Sequence, residues 1–302
     1  MRGLIFALGI VVSVSGRVQA AAPVEDARQT HYSDISAELK QLAQAAPQST
    51  KLFTLGVSDS GENIYGIKIG NGTHRDLVVA THHGNEYGST EVARALARDL
   101  IQNPISTETV YVIPVLNISG YNAKIREERD AHGNFIDPNR DYLGPCKLDQ
   151  PFLLKSTAAL AQFVDQEKIV TSATLHTFQP AVVYPWGIST DDVSTRYDAL
   201  YTALANAAAY LTHYPTGNST QLIYPADGAY EDYVFWKHGV WSLLFELGHS
   251  HYPSADDISD MVKGNVPGLR AMFVNAPASR AVDHNFEGKC SDASRRLDRH
   301  DE

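Results

Sequence analysis

Basic residues are the minority charge in this 302-residue chain, and long apolar runs are almost absent. Lysine and arginine total 25 against 35 aspartates and glutamates, which gives a formal net charge of −10. A nucleic-acid-binding protein needs clustered lysine and arginine, so this balance argues against that class of partner. No G-x-S-x-G motif occurs, so a serine hydrolase of that type has no support. The hydrophobic fraction of 43% is ordinary and permits a sizeable core.

The one long apolar run lies at the N-terminus and is typical of a signal peptide. Met1-Arg2 gives a positive start, residues 3–16 read GLIFALGIVVSVSG, and residues 18–20 (VQA) place small residues where a signal peptidase cleaves. The run falls short of the about 20 apolar residues that span a bilayer, although an uncleaved anchor is the alternative. We therefore expect residues 1–20 to be removed, the mature chain to lack a membrane span, and the protein to be secreted or periplasmic.

Cysteine is scarce, and the chain contains only Cys146 and Cys290. In an exported protein an even pair predicts a disulfide bond, with two unpaired buried thiols as the alternative. The bond would close a loop of 290 − 146 = 144 residues. The chain-entropy argument gives such a loop a stabilisation of about 4–5 kcal/mol. Neither cysteine has an activating neighbour, so we expect no catalytic role for them.

Short apolar strands alternate with helical segments along the chain. Strands are predicted at 51–57, 63–69, 77–80, 110–116, 169–175 and 241–247, and helices at 32–46, 90–101, 152–166, 192–210 and 256–274. This alternation predicts an α/β fold: a single domain with a mixed, mostly parallel twisted sheet covered by helices on both faces. We place the domain at residues 21–278 and expect residues 279–302 to be a loose polar tail that a disulfide at its cysteine could hold.

Potential metal ligands follow three of the predicted strands. The stretch THHGNEYGSTE (81–91) comes directly after LVVA, His176 follows IVTSATL, and Glu246 lies near the end of WSLLFEL. Sites in open α/β sheets collect outside the carboxyl ends of the strands, so these side chains are expected to converge. His249 and His251 alternate along the chain and should diverge, which makes them surface groups or groups that support the ligands.

Spacing alone leaves two histidines eligible as ligands. His83 and Glu86 are three residues apart, and His82 and Glu86 are four apart, so either pair could share one face of a helical turn. Hydrolytic zinc sites take three protein ligands, and two histidines with one glutamate is a known set. His176 could supply the third ligand, although a hydrogen-bonded structural role is the alternative for a histidine at a strand end.

Six segments, taken in order, resemble the carboxypeptidase A-like zinc metallocarboxypeptidases. The resemblance covers residues 32–273 and rests on SDSGENIYGIKIG, HGNE, DPNRDY, LHTFQPAVVYPWG, YPADGAYEDY and WSLLFELG. Each segment is short, but their order and spacing together are specific. The resemblance implies a zinc enzyme that hydrolyses the C-terminal peptide bond of a peptide substrate, and we expect it to act as a monomer. We expect the chain before the HGNE segment to hold only the N-terminal helix and hairpin, without a large inhibitory pro-segment.

The resemblance assigns the metal ligands and the general base. The family keeps its histidine directly before the glycine, which selects His83 over His82. His83, Glu86 and His176 are then the ligands of one zinc ion. Glu246, in FELG, matches the glutamate that takes the proton of the attacking water.

The resemblance also assigns the groups that contact the substrate. Asn139 and Arg140 match the pair that holds the free carboxylate, which arginine can bind through two parallel hydrogen bonds. Tyr224 matches the tyrosine that closes over the substrate. Arg129 is the first choice for the arginine that stabilises the oxyanion, and Arg126 is its rival because the spacing to DPNR differs between branches of the family.

One position bears on the terminal residue of the substrate. Glu231 aligns with the residue that often contacts the terminal side chain, and a carboxylate there implies a preference for Lys or Arg by charge pairing. The alternative is that Glu231 points to solvent. Arg140 likewise has an alternative role in an ion pair with Asp137 or Asp141.

Two other functions fit part of the pattern. A carboxylate at the specificity position would also bind the ammonium group of diaminopimelate, which would make the protein a periplasmic peptidoglycan stem-peptide carboxypeptidase or amidase. A zinc- or peptide-binding module without catalysis is the third possibility. It is less favoured because every ligand and the base are present.

Overall fold

The computed structural model describes residues 27–190 and 194–290. The predicted signal peptide and the last twelve residues, 291–302, lie outside this range. None of the described helices is both long enough and apolar enough to traverse a lipid bilayer. The described strands are β1 (Thr50–Val57), β2 (Asn63–Ile69), β3 (His74–Ala80), β4 (Glu108–Ile113), β5 (Glu128–Arg129), β6 (Phe135–Ile136), β7 (Thr171–His176), β8 (Ala181–Tyr184), β9 (Thr216–Asn218) and β10 (Trp241–Glu246). The α-helices are α1 (Tyr32–Ala45), α2 (Tyr87–Gln102), α3 (Ile118–Ala123), α4 (Lys155–Gln166), α5 (Asp198–Ala208), α6 (Ser219–Leu222), α7 (Tyr230–His238) and α8 (Ala255–Asn275).

Eight of the strands form one mixed sheet in the order β1-β2-β4-β3-β7-β10-β8-β9. Its centre is parallel, because β3 pairs in parallel with β4 and β7, and β10 pairs in parallel with β7. The β1–β2 hairpin, the β2–β4 pair and the β10–β8 pair are antiparallel. Strands β5 and β6 form a separate small hairpin. The predicted α/β class with a mixed, mostly parallel sheet is confirmed.

Helices cover both faces of the sheet, as predicted. Along β3 the side chains alternate between two core clusters: Val78 and Ala80 join one, and Leu77 and Val79 join the other. The first cluster contains the apolar faces of α2, α5 and α8, and the second contains those of α4 and α7. This alternation explains why β3 reads as a continuously apolar strand, since both of its faces are buried.

Several helix and strand boundaries differ from the predictions for local reasons. The strand β4 ends just before Pro114, which cannot continue a ladder. Helix α4 begins at Lys155 rather than at Phe152, whose φ of 57° is left-handed. Helix α5 begins at Asp198, whose carboxylate accepts hydrogen bonds from the backbone N–H and the hydroxyl of Thr195. The predicted start of that helix at 192 lies outside the described residues.

The segment after residue 278 packs on the domain rather than trailing from it. The indole N–H of Trp241 donates to the carbonyl of Ser279 at 2.8 Å. The guanidinium of Arg280 donates to the carbonyls of Val164 and Ile169 at 2.8 and 2.7 Å. The polar composition that suggested a loose tail instead supplies hydrogen bonds to backbone carbonyls, so packing continues beyond the expected boundary.

The two cysteines form the expected disulfide bond. Cys146 and Cys290 are joined with their Cα atoms 5.4 Å apart. The bond ties the end of the described chain to the loop that follows the DPNRDY segment. Lys147, in that loop, donates from Nζ to the carbonyl of Arg140, a residue of the cleft described below, so the bond links the C-terminal segment to the functional site.

Candidate metal centre and substrate cleft

The predicted site residues meet at the carboxyl ends of three parallel strands. His176 is the last residue of β7, and it lies directly opposite Glu246, the last residue of β10, in the parallel ladder. His83 follows β3, the other neighbour of β7. Together they line a cleft with a volume of about 570 Å³. The sheet register therefore places side chains from distant parts of the sequence side by side.

The loop that carries His83 is held by close backbone contacts. The side chain of Asn117 donates to the carbonyls of His82 and Arg126, each at 3.1 Å, and so joins the two loop segments. Gly84 packs against α3, where an added Cβ would lie 2.0 Å from the carbonyl carbon of Gly120. Only glycine permits this approach, which explains the glycine after the histidine.

Three buried side chains converge in the geometry of a metal site. The Nδ1 atom of His83 lies 2.8 Å from Glu86 Oε1, and the Nδ1 atom of His176 lies 3.0 Å from Glu86 Oε2. The two Nδ1 atoms are 3.2 Å apart. All three residues are at most 3% exposed.

The hydrogen bonds outside the cluster support metal binding at its centre. The Nε2 atom of His83 is 3.0 Å from Asp137 Oδ1. A carboxylate that accepts the Nε2 proton leaves a lone pair on Nδ1, facing the Nδ1 atom of His176. Two nitrogen acceptors and one carboxylate facing each other at these distances fit a zinc ion, which two histidines and a glutamate commonly bind.

His82 takes no part in the cluster. Its Nε2 atom contacts the hydroxyl of Tyr142 at 2.9 Å, and its Nδ1 atom contacts the hydroxyl of Thr174 at 3.2 Å. The residue is fully buried with both ring nitrogens in hydrogen bonds, and it does not line the cleft.

Glu246 faces the cleft beside the three converging side chains. Its Oε2 atom is buried and accepts no hydrogen bond from the described residues. Burial raises the pKa of this carboxyl group well above its ordinary value, and the neighbouring Glu86 adds to the rise. A carboxylate that is desolvated but not committed to a partner can accept a proton.

The structure places Arg126, and not Arg129, in the cleft. Arg126 Nη1 lies 3.2 Å from His83 Nδ1, and Arg126 Nη2 donates to Asp137 Oδ2 at 2.9 Å. Arg129 is exposed, and its guanidinium lies 4.6 Å from the centroid of the Phe135 ring on the β5–β6 hairpin. The expectation that Arg129 faces the site is therefore not met, because its guanidinium packs on Phe135 of the hairpin, and Arg126 lines the cleft instead.

Asp137 is a site residue whose place sequence reasoning missed. It was weighed only as an ion-pair partner of Arg140, yet it contacts both His83 and Arg126. Burial alone would raise the pKa of its carboxyl group, but His83 and Arg140 hold that pKa well below the ordinary value. The available signal was its position at the start of the DPNRDY segment. Asp141, in contrast, accepts hydrogen bonds from the backbone N–H groups just before α4.

Arg140 and Tyr224 lie at the mouth of the cleft. The Nη2 atom of Arg140 donates to the Tyr224 hydroxyl at 3.3 Å, and Nη1 donates to the carbonyl of Asn139 at 2.8 Å. Among the described residues no carboxylate lies within ion-pair distance of Arg140, so its charge is available to a ligand. Tyr224 is 39% exposed, as expected of a group that covers an opening.

Glu231 lies at the base of the cleft rather than in solvent. It is 3% exposed, and its Oε2 atom accepts no hydrogen bond from the described residues. Burial raises the pKa of its carboxyl group above the ordinary value. Asn139 positions the helix that carries it, since the side-chain oxygen of Asn139 accepts a hydrogen bond from the N–H of Tyr230 at 2.9 Å.

These features together define a metal-dependent hydrolase of the α/β class, and the comparisons with known proteins give its family. Residues 35–268 match the zinc carboxypeptidase family, peptidase M14, and the chain belongs to that family. Its members are zinc-dependent peptide hydrolases, so the resemblance noted in the sequence is confirmed.

The relatives are similar over most of this chain. Carboxypeptidase B of Astacus astacus is 24% identical over 260 residues, which is 72% of this chain and 85% of that protein. Human carboxypeptidase B is 26% identical over 72% of this chain, but the match spans only 62% of the human protein. Bovine thrombin-activatable fibrinolysis inhibitor, solved with a tick carboxypeptidase inhibitor, shares the fold with a TM-score of 0.76 at 16% identity, covering 82% of this chain and 97% of that one. None of these matches supports the cell-wall alternative or a non-catalytic module.

Proposed function

We propose that this protein is an exported zinc metallocarboxypeptidase that hydrolyses the C-terminal peptide bond of peptides and prefers a terminal Lys or Arg. The observation that carries the proposal is a pair of charged side chains in one cleft, Arg140 at its mouth and Glu231 at its base. Neither has an ion-pair partner among the described residues. The first charge suits a free carboxylate and the second suits a basic side chain. The names of the carboxypeptidase B relatives and the disulfide bond support the preference and the export.

The residues of the chain have separate roles in this reaction. His83, Glu86 and His176 would hold the zinc ion, which when bound acidifies water and polarises a carbonyl group. Glu246 accepts the proton of the attacking water and delivers it to the leaving amine. Arg126, held by Asp137, donates hydrogen bonds to the carbonyl oxygen as negative charge develops there.

Substrate binding uses the rest of the cleft. Arg140 holds the terminal carboxylate through parallel hydrogen bonds, and Tyr224 covers it from the mouth of the cleft. Asn139 lines the cleft and positions Glu231 at its base. A buried carboxylate oxygen without a hydrogen-bond donor is costly, so an ammonium or guanidinium group of the substrate is the natural partner of Glu231 Oε2.

The reaction is tested with pairs of peptides that differ only in a free or an amidated C-terminus. We expect release of one terminal residue from the free form, with the amidated form cleaved at least about a hundredfold more slowly because Arg140 loses a charge-assisted partner worth about 3 kcal/mol. Glu246→Gln should abolish turnover and retain zinc by direct metal analysis. Equal cleavage of both peptides, or full activity of Glu246→Gln, would refute the mechanism.

The preference is tested with free peptides that end in Lys, Arg, Leu or Glu. Wild-type protein should show the highest kcat/KM for Lys and Arg, and Glu231→Gln should lose most of that advantage while its activity on Leu persists. Glu127→Gln is the matched control, because Glu127 lines the rim of the same cleft and should leave the preference unchanged. Release of only apolar residues by the wild-type protein would overturn the assignment of Glu231.

A further inference from the structure

A second cluster of metal-ligating side chains lies at the other end of strand β3. His74 begins β3, Asp76 follows two residues later on the same face, and Glu108 begins β4 directly opposite His74. One ligand atom from each residue lies within 4.8 Å of the others. The cleft residues follow the opposite end of β3, so this cluster lies outside the proposed catalytic site.

The distances in the cluster suit a small divalent cation. His74 Nδ1 lies 3.2 Å from Asp76 Oδ1 and 2.7 Å from Glu108 Oε2. Bonds of about 2.0–2.1 Å to a tetrahedral or octahedral ion place neighbouring ligand atoms about 2.8–3.4 Å apart. A small movement of the buried Glu108 side chain away from His74 would bring all three atoms to bonding distance.

The second nitrogen of His74 fixes the direction of its lone pair. Nε2 lies 3.1 Å from the carbonyl oxygen of Pro277, just after α8. A carbonyl can only accept, so Nε2 carries a proton. The Nδ1 atom of the neutral ring then presents its lone pair to two carboxylates. Histidines that bind metals commonly donate their other N–H to a backbone carbonyl in this way.

Asp76 is the observation that points to a ligand. Its side chain is 0% exposed, and among the described residues neither of its oxygens accepts a hydrogen bond of good geometry. Burying a carboxylate without donors is unfavourable. Asp76 is in that position, whereas Glu108 accepts a hydrogen bond from the hydroxyl of Thr107 at 2.8 Å. A divalent cation would balance both negative charges and give Asp76 a partner.

Protonation of these side chains, without a metal ion, is the alternative explanation of the cluster. Without a cation, burial raises the pKa of Asp76 to about 7. Burial alone would lower the pKa of His74, but Asp76 and Glu108 raise it to about 9. A proton on His74 Nδ1 would face Glu108 Oε2 at 2.7 Å and Asp76 Oδ1 at 3.2 Å, the same two oxygens that would bind a metal ion. The metal count described below distinguishes protonation of the cluster from metal binding.

We infer that His74, Asp76 and Glu108 bind a second divalent transition-metal ion, of the Zn²⁺ or Mn²⁺ kind. One imidazole and two carboxylates are a ligand set that both ions accept. Such an ion would join the starts of β3 and β4 to the segment after α8. Its role would be structural, because it lies away from the cleft.

The test counts metal ions in full-length protein whose first site has been removed. His83→Ala/His176→Ala protein is stripped with a chelator, incubated with Zn²⁺ or, separately, with Mn²⁺, desalted, and analysed for metal per chain. We expect one ion per chain in at least one arm, together with a higher melting temperature than the stripped protein shows. No ion in either arm would overturn the proposal and leave protons as the account of the cluster.

Two further variants locate the ion. Adding His74→Gln to the same background should reduce the count to zero, whereas His249→Gln, at an exposed histidine, should leave it at one. If His74→Gln fails to fold by circular dichroism, Glu108→Gln replaces it, since glutamine keeps the size of this buried side chain. An ion that persists in a folded variant of either kind is bound elsewhere, and the assignment fails.

Discussion

Asp137→Asn should damage both halves of the catalytic apparatus, because one carboxylate serves two partners. Asp137 Oδ1 contacts His83 Nε2 at 3.0 Å, and Oδ2 accepts from Arg126 Nη2 and Nε at 2.9 and 3.2 Å. An asparagine has one oxygen and one amino group, so it can satisfy His83 or Arg126 but not both. Whichever partner faces the amino group loses its acceptor and meets a donor.

The size of each effect follows from the bonds that are lost. Removing the carboxylate that orients a ligating histidine typically weakens metal binding about 10- to 100-fold. Releasing an oxyanion donor costs about 10²- to 10³-fold in kcat. For Asp137→Asn we expect a zinc Kd at least about tenfold higher and, at saturating zinc, a kcat about a hundredfold lower. KM should change less than kcat, because the guanidinium of Arg140 is held by Tyr224 and by the carbonyl of Asn139 rather than by a hydrogen bond to Asp137.

Competition with a chelator of known affinity measures the zinc Kd, and steady-state hydrolysis of a free peptide at saturating zinc measures kcat and KM. Asp130→Asn is the matched control, since Asp130 lies on the hairpin between β5 and β6 and binds only local groups. A folded Asp137→Asn protein with the zinc affinity and kcat of the wild type would refute the reasoning.

Two further predictions concern stability. Burial raises the pKa of Glu128 to about 8 from 4.5. The folded state therefore binds this proton more tightly than the unfolded state does. The free energy of unfolding should fall as the pH rises from 4.5 to about 8, by up to about 5 kcal/mol. Urea unfolding at several pH values checks this, and Glu128→Gln should remove most of the slope. Gly84→Ala should lower the free energy of unfolding by about 1–3 kcal/mol and weaken zinc binding, since its Cβ would meet the backbone of α3; unchanged thermal unfolding and zinc affinity would contradict this.

Positions that depend on strand ends could be predicted from the sequence. His176 and Glu246 each follow a short apolar run, and parallel strands bring such positions together without any knowledge of the loops. The choice between Arg126 and Arg129 could not be made in this way. It depends on the path of the chain into a two-residue strand, which is too short to show a hydrophobic periodicity.

Strand register and the burial of individual side chains could not be predicted from the sequence, for a different reason. The spacing of His74 and Asp76 places them on one face of a strand, but their partner Glu108 is brought opposite by a pairing that spans 34 residues. The burial of Glu231 likewise depends on helix α7, which Asn139 holds from another segment. Such contacts are set by tertiary packing and leave no local pattern in the sequence.

The disulfide bond closes a covalent ring of the chain that contains the cleft residues after Cys146. The ring between Cys146 and Cys290 contains His176 and Glu246, whereas the cleft residues before Cys146 lie outside it. One cut by another protease at any point within the ring would leave both fragments joined. A clipped molecule should therefore migrate as one band on a non-reducing gel and as two after reduction. Its site can stay intact even though a reducing gel would show the protein as degraded.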